Sequence, residues 1–235
     1  MSKRSKSAQP LLLSPPMRDA LVAGRKTQIR RLVQPSWSLL DGAPVDAETW
    51  AALDLEKAWV DPGPSPAGNP GPYLKVPRKN DPEERVHRVY CRRWTGDRFF
   101  IQEAWRIDGF VGKPAPRQRL EGATILYAAD AQGDAGWYEA ISMPRWAART
   151  QITIASVGVE RLQEITEYDA RSEGVRPADD SWGSYLHIDA FKAAWAEWAR
   201  VAKGGVSWDV NPWIWKLEIA RLEMVKPAQT EDARA

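Results

Sequence analysis

Thr150-Gln-Ile-Thr-Ile-Ala155 alternates from residue to residue, and then the phase slips, because the next branched apolar residues are Val157 and Val159. Alternation with period two marks a strand with one buried face. A slip inside one strand predicts a β-bulge, which bends the sheet at that point. A second stretch shows the same pattern: Trp213, Trp215, Leu217 and Ile219 alternate with other residues and predict a long final strand. Asp209 and Asn211, just before it, read as turn residues.

Outward from these strands, the chain mixes short strands and helices without a regular β–α alternation. Leu11-Leu-Leu13 reads as a first short strand. Ser14-Pro-Pro-Met17 starts a helix, with serine at the cap and proline in the first turn. Met17, Ala20 and Leu21 fall on one face of it, and Gly24 is suited to the left-handed stop. Thr95-Gly-Asp97 is a turn leading into a strand from Arg98 to Trp105, and Thr124 to Ala129 is another strand. Ser142 to Ala147 is a short turn or a one-turn helix. Thr166 to Glu173 reads as a capped helix closed by Gly174, and 188–202 as an amphipathic helix closed by Gly204-Gly205. The expected class is α+β with a curved sheet or small barrel.

Residues 36–93 read as a long irregular insertion, dominated by the proline and glycine run from Asp61 to Pro72. The expected organisation is a disordered tail over 1–9, one domain over 10–225 carrying that insertion, and a frayed tail over 226–235.

Composition narrows the function classes. Lys and Arg number 33 against 31 Asp and Glu, a formal charge of +2, so contact with nucleic acid has to come from a local patch. Cys91 is alone, which leaves neither a disulfide framework nor a cysteine zinc site. His87 and His187 lie far apart in segments read as loops, so no metal is expected. No P-loop or dinucleotide fingerprint is present, and no cofactor is expected. The Leu11–Leu13 run is too short for a signal-peptide core and no stretch has the length of a membrane span, which reads as a cytoplasmic protein.

One segment concentrates charge. Arg25, Lys26, Arg30 and Arg31 put four cations into seven residues behind Gly24. This is a place to hold an anion or to activate a lysine. Trp146, beside Arg145 and near Arg149, is a base-stacking candidate as well as a barrel plug. Glu103, inside an apolar strand, is expected to face solvent.

Several motifs in order resemble the ASCH domain family. They are Gly24-Arg-Lys-Thr-Gln-Ile-Arg-Arg31, Gly96-Asp97 with Phe99 to Trp105, Met143-Pro-Arg-Trp-Ala147, Val159 to Ala170, and Trp208-Asp-Val-Asn-Pro-Trp-Ile-Trp215. The set is similar to a branch common in bacteriophages and prophages, and covers about 10–35 and 90–225. The resemblance implies a PUA-like fold, a small, mostly antiparallel β-barrel with flanking helices. It also implies binding of RNA, DNA or a modified nucleoside, with Arg25, Lys26, Arg30, Arg31, Arg145 and Trp146 as binding residues, and a bacterial host cell as the compartment. One branch removes an acetyl group from the exocyclic amine of acetylcytidine with a lysine, a threonine and a glutamate. The lysine matches Lys26 and the glutamate Glu173. The threonine position falls on Ile29, which has no nucleophile, and Thr27 stands two residues away as the substitute. The implied function is therefore a basic nucleotide-binding cleft. The alternatives are an amidohydrolase using Lys26 and Glu173, or a phage protein-interaction module with a tryptophan-rich surface.

Overall fold

The structure is a computed structural model that describes residues 7–63, 71–109, 123–131, 136–177, 187–201 and 205–225. The elements in chain order are β1 (Gln9–Leu12), α1 (Pro15–Val22), β2 (Gln28–Leu32), β3 (Ser38–Leu40), α2 (Ala47–Ala51), β4 (Trp59–Asp61), β5 (Tyr73–Pro77) and β6 (Val86–Cys91). They continue with β7 (Arg98–Gln102), β8 (Trp105–Ile107), β9 (Ile125–Tyr127), β10 (Thr150–Arg161), α3 (Glu167–Ser172), α4 (His187–Val201) and β11 (Trp213–Met224).

The fold is α+β. A five-stranded sheet runs in the order β1-β7-β10-β11-β2, a four-stranded sheet in the order β3-β6-β5-β4, and β8 pairs with β9. Only β1 with β7 is parallel; the other named pairs are antiparallel. The larger sheet curls into a half-barrel. Its bend lies where the alternation slips. Thr153 faces Arg221, Ile154 faces Ile219 and Ser156 faces Glu218, which leaves Ala155 and Ala220 without partners in the register.

The two sheets enclose the main core. Ile29, Phe99, Ile101, Ile152, Ile154, Trp215 and Leu217 from the large sheet meet Leu74, Val76, Val89 and Cys91 from the small one. Burying each such aliphatic or aromatic side chain contributes about 1.5–3 kcal/mol. Trp215 is fully buried and donates its indole N–H to Ser38 Oγ at 3.1 Å, which ties the sheets together without leaving a buried donor unsatisfied. α1 links the two edge strands β1 and β2 and puts Leu21 into this core. Ser14 occupies the cap position by backbone geometry, but its side chain makes no capping bond.

The structure corrects several expectations. The 36–93 segment is not irregular: it holds α2 and all of the four-stranded sheet. Its strands have three to six residues each, so their alternation is brief. The proline and glycine run beside them falls partly, at 64–70, outside the described residues. Of the stretch expected as a disordered tail, Ala8 is buried and Gln9 pairs with Phe99; residues 1–6 and 226–235 lie outside the described residues. The strand expected from Arg98 to Trp105 breaks at Glu103 and Ala104. His87 lies in β6 and His187 opens α4, so neither histidine is in a loop. Among the described residues no helix is long and apolar enough to cross a membrane.

Candidate functional site

Gly24 adopts φ +72°, and the chain leaving α1 turns so that the backbone N–H groups of Arg25 and Lys26 both donate to the Ala20 carbonyl. Thr27 N–H then donates to the Ser172 carbonyl at 2.7 Å, and Ile219 N–H donates to the Thr27 carbonyl. The Lys26 segment is thereby fixed between the end of α3 and β11. α3 is capped by Thr166, whose side chain accepts from Asp169 N–H. It ends at Glu173, followed by Gly174 at φ +86°. A Cβ on Gly174 would lie 2.7 Å from Ala20 Cβ and 2.9 Å from Lys26 Cβ, so only glycine lets the helix end approach this closely.

That approach brings Lys26 and Glu173 together. Lys26 Nζ lies 2.5 Å from Glu173 Oε2 and also donates to the Glu173 carbonyl at 2.9 Å. Both side chains are buried, at 3% and 6% exposure. On the same face of β2, Arg30 donates to Glu173 Oε1 at 3.0 Å, to Gln28 Oε1 at 3.0 Å and to Glu160 Oε1 at 2.7 Å. Asp169 Oδ1 lies 3.6 Å from both Arg30 and Lys216, and Lys216 Nζ is 3.0 Å from Glu160 Oε2. Three cations thus face three carboxylates in one lattice. Lys26, Arg30 and Glu173 form its buried end, and Lys216, at 24% exposure, its open rim. The apolar support beneath is Leu32, Leu162, Ile165, Phe191, Trp195 and Ile214.

Burial pushes the Lys26 ammonium below its usual range; the contact with Glu173 opposes that shift, while Arg31 and Arg30 add to it. Asp169 goes the other way. Burial pushes its carboxyl up, but hydrogen bonds from Thr166 and Gln28 and the charge of Arg30 hold it at about 2. Desolvation also lowers Arg31, with Glu173 opposing.

The expected site residues divide. Lys26, Arg30 and Glu173 converge. Arg25 stands beside them, donating to the Gly174 carbonyl at 3.2 Å. Arg31 is half-buried on the other side of β2, where it donates to the Leu12 carbonyl and lies over the Trp37 ring at 5.4 Å. Ile29 is a core residue. Thr27 is exposed and precedes β2. Arg145 is exposed, and Trp146 packs edge-on against Trp105 at 5.6 Å in a separate apolar cluster. They precede the start of β10, whereas Glu160 stands near its end, roughly 30 Å along an extended strand. Arg145 and Trp146 therefore stand on a different element from Lys26, Arg30 and Glu173.

Glu103 is buried, against the expectation of solvent. Arg149 grips it with Nε and one terminal nitrogen at 2.9 and 2.8 Å, and Arg18 adds a contact at 3.2 Å. Arg149 also pairs with Asp130 and lies over the Tyr127 ring at 3.9 Å.

Gln28, Glu160, Asp169 and Lys216 were missed as site residues. The alternation itself was the available signal. Gln28 shares the face of Arg30, and Glu160 and Lys216 alternate with the core residues Val159 and Trp215 or Leu217. Asp169 carried no strand signal, because it stands on a helix. Among the described residues no group of His, Cys, Asp and Glu is placed to hold a metal ion, and Glu160, Asp169 and Glu173 are each taken by cations.

Comparison of the chain with protein-family models, curated proteins and solved structures found no match.

Proposed function

We propose that the chain is a nucleotide-recognition module of the ASCH type, on a PUA-like half-closed barrel. Its partner is RNA, DNA or a modified nucleoside, read by the polar edge of a base at the Lys216–Glu160 rim. The observation that carries this reading is the ion-pair lattice of Lys26, Arg30, Glu160, Asp169, Glu173 and Lys216. It supports a base edge over a phosphate. A phosphate needs cations that are not already neutralised, whereas Lys26 and Arg30 are bonded to carboxylates. A base edge presents donors and acceptors together, which a fixed set of both kinds matches. The test is titration of the full chain with unphosphorylated nucleosides, plain and acylated, alongside Lys216→Ala. One of them is expected to bind, about tenfold more weakly in the variant, the cost of one lost polar contact. Binding by none of them, or equal affinity in the variant, sinks the reading.

A second reading rests on the 2.5 Å contact between Lys26 Nζ and Glu173 Oε2 and the lowered lysine. Such a pair suits acid–base hydrolysis of an acylated exocyclic amine. Glu173 takes a proton from water, the water oxygen adds to the acyl carbon, the C–N bond breaks as the Lys26 ammonium gives its proton to the leaving amine, and Glu173 then passes the captured proton to Lys26 across their contact. Acetylcytidine incubated with the protein is then expected to release acetate, detectable by proton NMR, and Glu173→Gln to abolish the release. No acetate at high protein concentration and neutral pH rules it out.

A further inference from the structure

Away from the ion-pair lattice, a recess of about 50 Å³ lies where the end of β6 and the β6–β7 connection meet β10, lined by Tyr90, Cys91, Arg93, Thr95, Val157 and Gly71 among others. A single water needs roughly 10–15 Å³ by this measure, so the recess has room for a few waters or one small polyatomic ion. Arg93 makes it unusual. Its side chain lies over two rings, with Cζ 5.4 Å from the Trp37 centroid and 5.3 Å from that of Phe99. Its Nε–H is buried and has no acceptor. Among the described residues no carboxylate forms an ion pair with it; Asp97, the acid that acts on it electrostatically, accepts from Trp94 N–H at 3.0 Å. Arg30 and Arg149, by contrast, are each bonded to carboxylates. A buried guanidinium N–H without an acceptor, here Nε, is costly unless something accepts from it.

We infer that this recess is a binding site for a small oxyanion, in the first place a phosphate group, held by the Arg93 guanidinium with the Thr95 side chain at its edge. The guanidinium fork matches the spacing of phosphate oxygens. Burial lowers the Arg93 pKa, as expected of a cation that lacks a counter-ion in place. The site stands apart from the Lys26 lattice and does not depend on the function proposed for it.

Titration calorimetry of the full chain with inorganic phosphate at low ionic strength tests this. Phosphate is expected to bind the wild type at least tenfold more tightly than Arg93→Met, which keeps the stem over the two rings and removes the donors. Arg93→Lys, with its charge but no fork, falls between them if the methionine variant does not fold. Lys216→Ala is expected to leave phosphate affinity unchanged, which separates this site from the nucleoside reading. No phosphate binding by the wild type, or equal binding by the Arg93 variants, overturns the proposal. Acetate binding as tightly as phosphate overturns the assignment to a phosphate group.

Discussion

Lys26 and Arg149 are both cations drawn into the protein against carboxylates, and burial and pairing settle differently around them. At Arg149, burial works against the charge, but Glu103 and Asp130 outweigh it and raise its pKa further. At Lys26 burial prevails and the pKa falls. The geometry accounts for the difference. Arg149 has two carboxylates, one gripped through two nitrogens, and keeps 17% of its side chain exposed. Lys26 has 3% exposure and a single carboxylate shared with Arg30. A satisfied arginine fork is a structural tie. A buried lysine with a shared counter-ion is poised to exchange a proton or to meet a polar ligand. The same contrast separates the cluster that joins α1 to β9 from the Lys26 lattice between β2, α3 and β11.

Breaking each cluster at its carboxylate gives the largest effect. Glu173→Ala leaves the buried Lys26 without its carboxylate, while Arg30 keeps Glu160, and is expected to cost about 3–5 kcal/mol in denaturant unfolding. Glu103→Ala is expected to cost less, because Arg149 retains Asp130 and a more exposed position. Equal losses would erase the distinction drawn here.

Gly174→Ala attacks the Lys26 cluster alone. The new Cβ would crowd Ala20 and Lys26 at a positive φ, so a loss of about 1–3 kcal/mol is expected in thermal unfolding. No change in stability would mean that the end of α3 does not need this approach.

Acid gives a smaller effect. Asp169 sits at about 2 in the folded chain against an ordinary 3.8, so its contribution is complete above pH 3.8 and is lost as pH falls toward 2. Asp169→Asn is expected to flatten the fall of stability between those pH values. An unchanged slope would show that Asp169 is not held by its hydrogen bonds.

How much of this was legible in the sequence depends on the length of each pattern. The twelve residues of β10 and of β11 carry enough alternation to show both strands and the bulge. The helix ends at Gly24 and Gly174 follow from glycine's freedom at positive φ. The small sheet was hidden, because strands of three residues carry no readable period. Glu103 was misread for a different reason. A carboxylate in an apolar run faces solvent only if no distant cation reaches it, and Arg18 and Arg149 lie 85 and 46 residues away in the chain. The convergence of Lys26 with Glu173 spans 147 residues, and no local pattern reports it.

The most direct test is the ionisation of Lys26 itself, followed through its side-chain ε-carbon by NMR in the wild type and in Glu173→Gln. The midpoint is expected below the ordinary 10.5 in the wild type and to fall further in the variant, since Glu173 is the group holding it up. A wild-type midpoint at or above 10.5, or a rise on removing the carboxylate, would contradict this.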